Sequence, residues 1–153
     1  MGGETPDRSF GWHYDFSKAL IEEAAPIPDW LMPMQQLAAQ FAGLKATDLV
    51  QALLIYYPPG ATLGWHRDRP VFEHVLGISL GTTVKMRFRR RRDRGFQRHA
   101  AVLPPRSLYH LAGEARHLWE HSIPATDVTR WSITFRSLSD RTADRPFPRR
   151  QTA

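Results

Sequence analysis

Residues Arg130 to Arg136 read R-W-S-I-T-F-R, and their polar and apolar side chains alternate without a break. Successive side chains of a β-strand point to opposite faces. This stretch therefore predicts a strand with an apolar face and a polar face; the apolar face holds Trp131, Ile133 and Phe135, and the polar face holds Arg130, Ser132, Thr134 and Arg136. We expect the apolar face to pack into a sandwich and the polar face to present two guanidiniums to one cavity.

The rest of the chain after residue 50 favours the same class of fold. Short apolar segments recur at close spacing with turn residues between them, which is typical of a sandwich or barrel. The predicted strands are Val50–Tyr57, Leu63–Asp68, Val75–Leu80, Val84–Arg89, Ala100–Leu103, Ser107–Ala112, Leu118–Ile123 and Arg130–Leu138. The third and fourth read as a hairpin around residues 81–83, and Arg90 to Arg98 reads as a loop.

One helix is predicted before the strands. Asp29 could cap a helix over Trp30 to Phe41, and Gly43 would end it. Its apolar stripe would comprise Leu31, Met34, Leu37, Ala38 and Phe41. The predicted fold class is mainly β (α+β): a jelly roll, or double-stranded β-helix, with one or two N-terminal bracing helices.

A candidate metal site lies in the predicted strands. Alternation brings the side chains of His66 and Asp68 to one point and turns Arg67 away, and His121 follows on a later strand. Two histidines and one carboxylate hold one face of an Fe(II) ion and leave the other face open. The alternatives at this point are a core histidine among surface arginines, or a zinc hydrolase with the same three ligands.

The paired arginines favour the iron hypothesis. Arg130 and Arg136 follow His121 closely, and a guanidinium binds a carboxylate through two parallel hydrogen bonds. The cosubstrate 2-oxoglutarate carries a carboxylate at each end, so two arginines on one strand face suit it.

Composition limits the remaining classes. The chain has 153 residues, no cysteine, a net charge of +6 and an apolar fraction of 42%. It can build one domain with a real core, and it cannot form disulfides or thiolate metal sites. We expect a cytoplasmic monomer that does not enter a membrane. Only three of the 21 basic residues are lysines, and arginine-rich chains favour phosphate-bearing partners.

Four segments resemble the AlkB family of Fe(II)/2-oxoglutarate dioxygenases. They are Y-Y-P-P-G-A-T-L-G-W-H-R-D (Tyr56 to Asp68), P-P-R-S-L-Y-H-L-A-G-E-A-R (Pro104 to Arg116), W-E-H-S-I-P (Trp119 to Pro124) and R-W-S-I-T-F-R (Arg130 to Arg136). The resemblance covers roughly residues 10 to 138 and implies the double-stranded β-helix fold.

The resemblance also implies roles for individual residues. His66, Asp68 and His121 would bind Fe(II). Four other residues would bind 2-oxoglutarate: Arg130 at its distal carboxylate, Arg136 near the carboxylate at the metal, and Tyr57 and Ser132 by hydrogen bonds.

The implied reaction uses Fe(II), 2-oxoglutarate and O2 to remove methyl groups from N-alkylated bases in DNA or RNA, releasing formaldehyde, succinate and CO2. The chain departs from the family pattern at Ile55, where the founding enzyme has an asparagine, and at Pro70 and Val71, where an acidic residue is common. The alternatives are the same chemistry on a tRNA, a protein or a small molecule, and a non-catalytic nucleic-acid-binding module.

Substrate contacts are predicted at two places. Phe10 to Phe16 resembles part of a flap over the base, with Trp12 and Tyr14 as its contact residues. Arg67, Arg89 and Arg90 are expected at the nucleic-acid backbone, within a dense arginine run over residues 87–94.

The expected organisation is one dioxygenase domain over residues 1–138, followed by a disordered basic tail over residues 139–153. Residues 1–17 would form only part of the substrate flap, as if the chain were truncated at its N-terminus.

Overall fold

The computed structural model describes residues 5–15 and 20–140. Residues 1–4 and 16–17 of the predicted flap, and residues 141–153 of the predicted tail, lie outside this range. The strands are β1 (Asp7–Asp15), β2 (Leu20–Glu23), β3 (Gln51–Tyr57), β4 (Leu63–His66), β5 (Phe72–Leu80), β6 (Val84–Arg91), β7 (Phe96–Leu103), β8 (Ser107–Leu111), β9 (Glu120–Ile123) and β10 (Arg130–Leu138), and the helices are α1 (Met32–Ala42) and α2 (Gly113–His117). Short 3-10 turns precede and follow α1, at Asp29–Leu31 and Ala46–Asp48.

Two antiparallel sheets build the fold. The major sheet has the strand order β2-β1-β3-β10-β5-β8, and the minor sheet has the order β4-β9-β6-β7. Chain neighbours such as β3 and β4, or β8 and β9, lie in different sheets, as they do when strands wind back between two facing sheets. The predicted mainly β jelly roll is confirmed.

The strand β10 lies in the middle of the major sheet. Its bounds match the predicted ones, and it pairs with β3 from Arg130 to Arg136 on one side and with β5 from Trp131 to Leu138 on the other, with a shift in register after Arg136. Ser132 and Thr134 are buried on the side that faces the minor sheet, while Phe135 and Ile133 belong to the core under α1. The polar face therefore looks into the sandwich, and the apolar face packs outside it, against the helix. The prediction that the apolar face packs into the sandwich is therefore wrong.

Two apolar clusters hold these layers together. The larger lies between the major sheet and α1, and its buried members are Phe10, Leu31, Ala38, Ala39, Leu49, Ala52, Leu76, Ile78, Ile133 and Phe135. The smaller lies between the sheets and contains Val84, Met86, Leu103 and Ile123. The space between the sheets is thus apolar at one end only, which leaves room for polar side chains at the other.

The predicted apolar stripe of α1 is wrong in part. Leu31 and Ala38 are buried as expected, but Leu37 and Phe41 are 56% and 59% exposed. The helix is rotated so that Gln35 faces inward, where its amide donates hydrogen bonds to the carbonyls of Ala46 and Leu49. These bonds satisfy backbone groups in the turn after the helix, so a polar residue occupies the buried face.

The predicted hairpin of Val75–Leu80 with Val84–Arg89 is also wrong. Both strands exist, but β5 belongs to the major sheet and β6 to the minor sheet, so residues 81–83 cross between the sheets. The strand β6 pairs with β7 instead, from Val84↔Leu103 to Arg91↔Phe96. The predicted arginine loop shrinks to residues 92–95 because both arms of this hairpin are longer than expected.

The N-terminal strand extends the major sheet. β1 pairs with β3 as far as Gly11 and then with β2 from Trp12 onward. Among the described residues, no helix is long and apolar enough to cross a membrane. The division into one domain and a tail, the monomeric state and the cytoplasmic location stay predictions.

Leu31 and Leu37 give a matched test of the helix orientation. Leu31→Ala should lower the free energy of unfolding by about 2–5 kcal/mol, because it opens a cavity under the helix. Leu37→Ala should change it by no more than about 0.5 kcal/mol, because the side chain is exposed. Urea unfolding of both variants measures the difference, and equal losses would contradict this orientation.

Candidate active site

Three predicted ligands converge between the sheets. The imidazole Nε2 of His66 lies 3.5 Å from Oδ1 of Asp68, and Nε2 of His121 lies 3.9 Å from the same oxygen. One donor atom from each residue lies within 4.8 Å of the others. Two nitrogens and one carboxylate oxygen in this arrangement fit Fe(II), since they occupy one face of the ion and leave the opposite positions open.

The fold brings these residues together in two ways. His66 ends β4 and is paired with His121 on β9, so backbone hydrogen bonding sets the distance between the imidazoles. Asp68 lies beyond the end of β4, in an irregular segment, and not on the strand as predicted. Its carboxylate still points to the histidines, because the segment is held from α2.

Two arginines hold this segment. The guanidinium of Arg116 donates hydrogen bonds to the carbonyls of Phe72 and Arg69, and Arg67 donates to the carbonyl of His117 at 3.0 Å. Arg67 thus points away from the metal ligands, as predicted. The segment is thus tied to α2 on both sides of Asp68, by the side chain of Arg67 before it and by backbone carbonyls after it, which restricts the direction of the carboxylate.

A hydrogen bond at Nδ1 of His66 determines the tautomer of its imidazole. Nδ1 lies 2.8 Å from the carbonyl of Gly64, a distance at which Nδ1–H donates. In the neutral imidazole the lone pair is then on Nε2, the atom that faces Asp68 and His121 and would bind the metal ion, whereas the protonated imidazole directs Nε2–H toward Asp68. Hydrogen bonds of this kind orient metal-binding histidines in general.

Asp68 uses both carboxylate oxygens. Oδ1 faces the two histidines, while Oδ2 accepts a hydrogen bond of 2.8 Å from Nε of Arg136. Burial alone would raise the pKa of the Asp68 carboxyl, but the charge of Arg136 and the hydrogen bonds from His66 and Arg136 outweigh it and hold the pKa well below its usual range. The carboxylate is therefore ionised at neutral pH, as a metal ligand must be.

The two histidines differ in their surroundings. Burial, and after it the charge of the neighbouring His66, lower the pKa of His121 to about 4. The hydrogen bond to Asp68 raises the pKa of His66. His121 thus offers a neutral imidazole throughout the physiological range.

Arg130 lies beyond the triad, and its charge has no carboxylate partner in the part of the chain that the structure describes. The residue is 3% exposed, and Nε donates one hydrogen bond of 3.1 Å to the hydroxyl of Ser79. Its guanidinium lies 4.9 Å from the ring centre of Tyr57. Among the described residues no acidic group comes within ion-pair distance, so its remaining N–H groups can bind an anion in the cavity.

A cavity of about 480 Å³ joins Arg130 to the triad. Its lining comes from both sheets and from the start of β1, and includes Asp7, Ser9, Gln51, Leu53, Ile55, Tyr57, Leu63, His66, Arg67, Asp68, Arg69, Phe72, Val75, Tyr109, His121, Ile123, Arg130, Ser132, Thr134 and Arg136. The predicted metal ligands and the predicted 2-oxoglutarate contacts at Tyr57, Arg130, Ser132 and Arg136 thus line one cavity.

The predicted substrate residues are spread more widely. Arg67 lines the cavity, whereas Trp12, Arg89 and Arg90 are not part of the lining described. The side chain of Tyr14 lies outside the described residues. The roles of these residues stay predictions.

Several residues around the site were not foreseen. Tyr109 lines the cavity, Gln51 accepts a hydrogen bond from Arg136, Ser79 accepts one from Arg130, and Arg116 holds the segment after Asp68. Their alternation within strands could have placed Ser79 and Tyr109 on an inward face. The role of Arg116 could not be predicted from alternation, because Arg116 lies on the short helix α2.

The family model described as "2OG-Fe(II) oxygenase superfamily" matches residues 9–136, a span that contains all three converging ligands and both arginines. The chain belongs to this superfamily. It is an Fe(II)- and 2-oxoglutarate-dependent dioxygenase, and its cofactors are Fe(II), 2-oxoglutarate and O2.

Similar proteins include several AlkB relatives. An uncharacterized protein, L905, of Acanthamoeba polyphaga mimivirus is 31% identical over 144 residues, which cover 82% of this chain and 68% of that protein. The tRNA (carboxymethyluridine(34)-5-O)-methyltransferase alkbh8 of Xenopus tropicalis is 28% identical over 76% of this chain, but over only 19% of its own length. The alkylated DNA repair protein ALKBH8 homolog of Arabidopsis thaliana is 30% identical over 64% of this chain and 34% of that protein.

A solved structure of OsALKBH1 has the same fold. It matches with a TM-score of 0.59 and 17% identity, over 89% of this chain and 80% of that one. The chain spans only about a fifth to a third of the ALKBH8 proteins that it resembles.

Removal of one ligand should abolish metal binding. Asp68→Ala and His121→Ala should each weaken Mn(II) binding by more than about 100-fold, because even changes in the groups around ligands cost about 10- to 100-fold. Glu120→Gln is the matched control, since Glu120 is adjacent to His121 but accepts a hydrogen bond from Arg89 on the other face. Calorimetric titration with Mn(II) gives the affinities. A folded Asp68→Ala variant that binds Mn(II) like the parent would exclude this site.

Proposed function

We propose that this protein oxidises alkylated bases in DNA or RNA, with His66, Asp68 and His121 as the ligands of Fe(II). Arg130 binds the distal carboxylate of 2-oxoglutarate, and Tyr57 and Ser132 line its binding site. The observation that carries the cosubstrate assignment is the buried guanidinium of Arg130, which has no acidic partner among the described residues.

Charge balance supports a dianionic cosubstrate. Asp68 and Arg136 form an ion pair with N–O distance 2.8 Å, so their charges cancel locally. The Arg130 guanidinium then has no ion-pair partner among the described residues, and a bound divalent metal ion would add further positive charge to the same cavity. A dicarboxylate with one end at each of them compensates both, whereas a monocarboxylate leaves Arg130 buried and unpaired.

The residues of the chain position the reactants, and the bound Fe(II) supplies the oxidative chemistry, which consumes O2 and 2-oxoglutarate and yields succinate and CO2. His66 and His121 would present their Nε2 atoms to the metal ion, and Asp68 would present one oxygen whose direction Arg136 fixes. The walls around them, which include Leu63, Ile123 and Val75, keep water from the reacting face.

Support for a nucleic-acid substrate comes first from the relatives. Their names refer to tRNA and to alkylated DNA. A target base inside a duplex has to leave the stack to reach a buried metal centre. The protein must then hold the nucleic-acid backbone from outside, and a basic surface is needed for that purpose.

The outer face of the minor sheet is such a surface, and we call it the arginine face. Its basic members are Lys85, Arg87, Arg89, Arg91 and Arg98, and its aromatic members are Trp65 and Phe96. Glu120 is the acidic residue that contacts it, by a 2.6 Å hydrogen bond from Arg89. Four of the five positive charges therefore have no ion-pair partner among the described residues.

The aromatic rings stiffen this face. The guanidinium of Arg89 lies 4.4 Å from the ring centre of Trp65 and 4.5 Å from that of Phe96. Arg91 and Arg98 lie 5.9 Å and 5.7 Å from the same Phe96 ring. Long side chains held by rings lose less conformational entropy when they bind phosphate, which favours these arginines as backbone contacts.

Basic residues also lie between this face and the cavity. Arg90 points to the inner side of β6 and comes within 3.9 Å of Glu114 on α2, while Arg67 contacts the other end of α2 and lines the cavity. A nucleic-acid strand that lies on the arginine face could follow these residues to the metal centre.

Neutralising two of these arginines should weaken nucleic-acid binding in a salt-dependent way. The double variant Arg91→Gln/Arg98→Gln should lower oligonucleotide affinity and reduce the slope of log K against log[salt] by about 2, since each lost phosphate contact removes about 0.9. Fluorescence anisotropy at several salt concentrations measures both. Lys45→Gln removes an exposed charge beyond α1 and should leave the slope unchanged. If the double variant keeps the parent slope, the arginine face is not the nucleic-acid interface.

Mass spectrometry tests the proposed reaction itself. The protein with Fe(II), ascorbate and 2-oxoglutarate should remove one methyl mass from 1-methyladenine or 3-methylcytosine in DNA or RNA oligonucleotides, with matching succinate. The Asp68→Ala variant should release neither product.

A tRNA fraction in the same panel covers the main alternative substrate. If succinate is released with tRNA and the oligonucleotides are not demethylated, the protein is still a dioxygenase but its substrate is tRNA. If the substrate is a protein or a small molecule, neither the oligonucleotides nor the tRNA should stimulate the release of succinate. The family assignment and the unpartnered Arg130 disfavour the zinc hydrolase and the non-catalytic module.

A further inference from the structure

One face of α1 and of the turn before it carries large apolar side chains that stay exposed. Trp30 and Phe41 are each 59% exposed, and Leu37 is 56% exposed. Together with the half-buried Met34 they occupy positions i, i+4, i+7 and i+11, which lie in one line along a helix. Helices that pack against each other use this spacing. We call these four residues the helix stripe.

The helix stripe is separate from the face that holds α1 on the major sheet. Leu31, Ala38 and Ala39 are buried in the core cluster under the helix. Trp30 is anchored at one edge, because its ring packs edge-on against that of Phe10 with 6.5 Å between the ring centres. The stripe is thus not needed to attach the helix, and an anchored ring needs little further ordering when a partner covers it.

The surroundings of the helix stripe are uncharged. No charged residue lies between Asp29 and Lys45 along the chain, although the chain as a whole carries a net charge of +6. Two basic copies repel each other, so they can associate only through surfaces that are not both positive. The exposed residues that flank the stripe on α1 are Pro33 and Gln40, and a glutamine amide both donates and accepts hydrogen bonds. Such a surface is compatible with an identical copy of itself.

The charges at the two ends of this uncharged stretch have opposite signs. Asp29 and Lys45 are exposed, and neither is in an ion pair among the described residues. Asp48 follows Lys45 closely, but its carboxylate accepts a hydrogen bond of 2.9 Å from the backbone N–H of Lys45. In an antiparallel pair of helices, Asp29 of one copy lies near Lys45 of the other, twice by symmetry. A parallel pair brings like charges together, so charge favours the antiparallel arrangement.

The area of the helix stripe suits a weak dimer. The exposed parts of Trp30, Leu37 and Phe41 offer on the order of 350 Å² of surface per copy, since a large aromatic side chain buries about 150–250 Å². Two copies with their flanking residues would bury roughly 1,000 Å² in total, which is the lower limit for a specific interface. We therefore expect a reversible dimer that forms at high concentration and dissociates on dilution.

A dimer through α1 leaves the active site open. The helix packs on the outer side of the major sheet, whereas the cavity lies between the sheets and the arginine face lies beyond the minor sheet. Both cavities and both arginine faces would point away from the two-fold axis, so self-association and nucleic-acid binding do not compete. Self-association through this helix is therefore independent of the proposed function.

We infer that the helix stripe, formed by Trp30, Met34, Leu37 and Phe41, is a self-association surface through which two copies of this chain pair as a weak dimer with antiparallel α1 helices. Trp30 of one copy lies against Phe41 of its partner, and Met34 and Leu37 lie near the two-fold axis. The monomer that we expect from the sequence is then the form present in dilute solution.

Sedimentation equilibrium over a wide range of concentrations tests this inference. The parent should shift from the mass of one chain toward that of two as its concentration rises. Leu37→Glu should weaken the dimer at least about tenfold, because it places two unpaired carboxylates at the interface. Gln36→Glu is the matched control, since it adds the same charge at an exposed position about 100° around the helix from Leu37, and it should dimerise like the parent.

Two results would overturn the inference. A parent that keeps the mass of one chain up to its limit of solubility does not self-associate. A dimer that persists unchanged in Leu37→Glu is joined through another surface. Circular dichroism checks that the variants fold. If Leu37→Glu does not fold, Phe41→Gln replaces it, because this change removes an exposed ring from the stripe without adding a charge, and it should also weaken the dimer.

Charge reversal tests the antiparallel arrangement. Asp29→Lys should weaken the dimer about threefold to tenfold, and the double variant Asp29→Lys/Lys45→Asp should restore it, because opposite signs then meet again. Both variants lose the acidic residue before α1, so a local effect on the helix does not explain a recovery. If the double variant dimerises as weakly as Asp29→Lys, the helices are not antiparallel.

Discussion

The hydrogen bond between Arg136 and Asp68 is the interaction on which the site depends. It joins the segment after β4 to β10, and so it crosses from the minor sheet to the major sheet. A buried ion pair contributes little net stability, because both charges lose their hydration. Its effect here is on geometry and ionisation. One carboxylate oxygen is fixed against Arg136, and the other is aimed at His66 and His121 as an anion.

The same bond explains why the two arginines of one strand face are not equivalent. Arg136 is paired with Asp68 and also donates to Gln51, so it acts mainly on the metal ligands. Arg130 is more deeply buried, donates to the neutral Ser79 and has no carboxylate near it among the described residues. Asp68 pairs with Arg136, while the other acidic residue of the cavity lining, Asp7, is in no ion pair with either arginine among the described residues. Arg130 is thus left for an external anion.

The sequence predicted those parts of the site that depend on local alternation. The bounds of β10 and the shared face of its arginines followed from period-two patterning, and the metal ligands followed from their residue types and spacing. The β5–β6 hairpin could not be predicted correctly, because turn residues at 81–83 suit a crossing between sheets as well as a hairpin. The buried face of α1 failed for a related reason. Gln35 faces inward to satisfy two carbonyls that come close only in the folded chain.

Tyr109 shows a different limit of prediction. Neither Tyr109 nor Gly77 is unusual in its own strand, and 32 positions separate them along the chain. The ring of Tyr109 occupies the space that a side chain at Gly77 would fill, and this fit exists only across the β5–β8 register. A pattern within one strand cannot reveal such a pair, whereas it readily reveals an arginine that alternates with apolar neighbours.

The distribution of arginines carries more information than their number. Three arginines are in the interior, where they bind carbonyls, a hydroxyl and a carboxylate: Arg116, Arg130 and Arg136. Part of the net charge of +6 is therefore not at the surface, and the total alone does not predict a polyanionic partner. On the outer face of the minor sheet, Arg89 and Arg98 are directly opposite each other, a pairing of like charges that destabilises a sheet. Glu120 and the rings of Trp65 and Phe96 offset the repulsion at Arg89, whereas among the described residues Arg98 and Arg91 contact the Phe96 ring and no acidic group. A surface that keeps such charges together gains stability from a polyanion, and this excess of charge on one face is the physical basis of the proposed nucleic-acid partner.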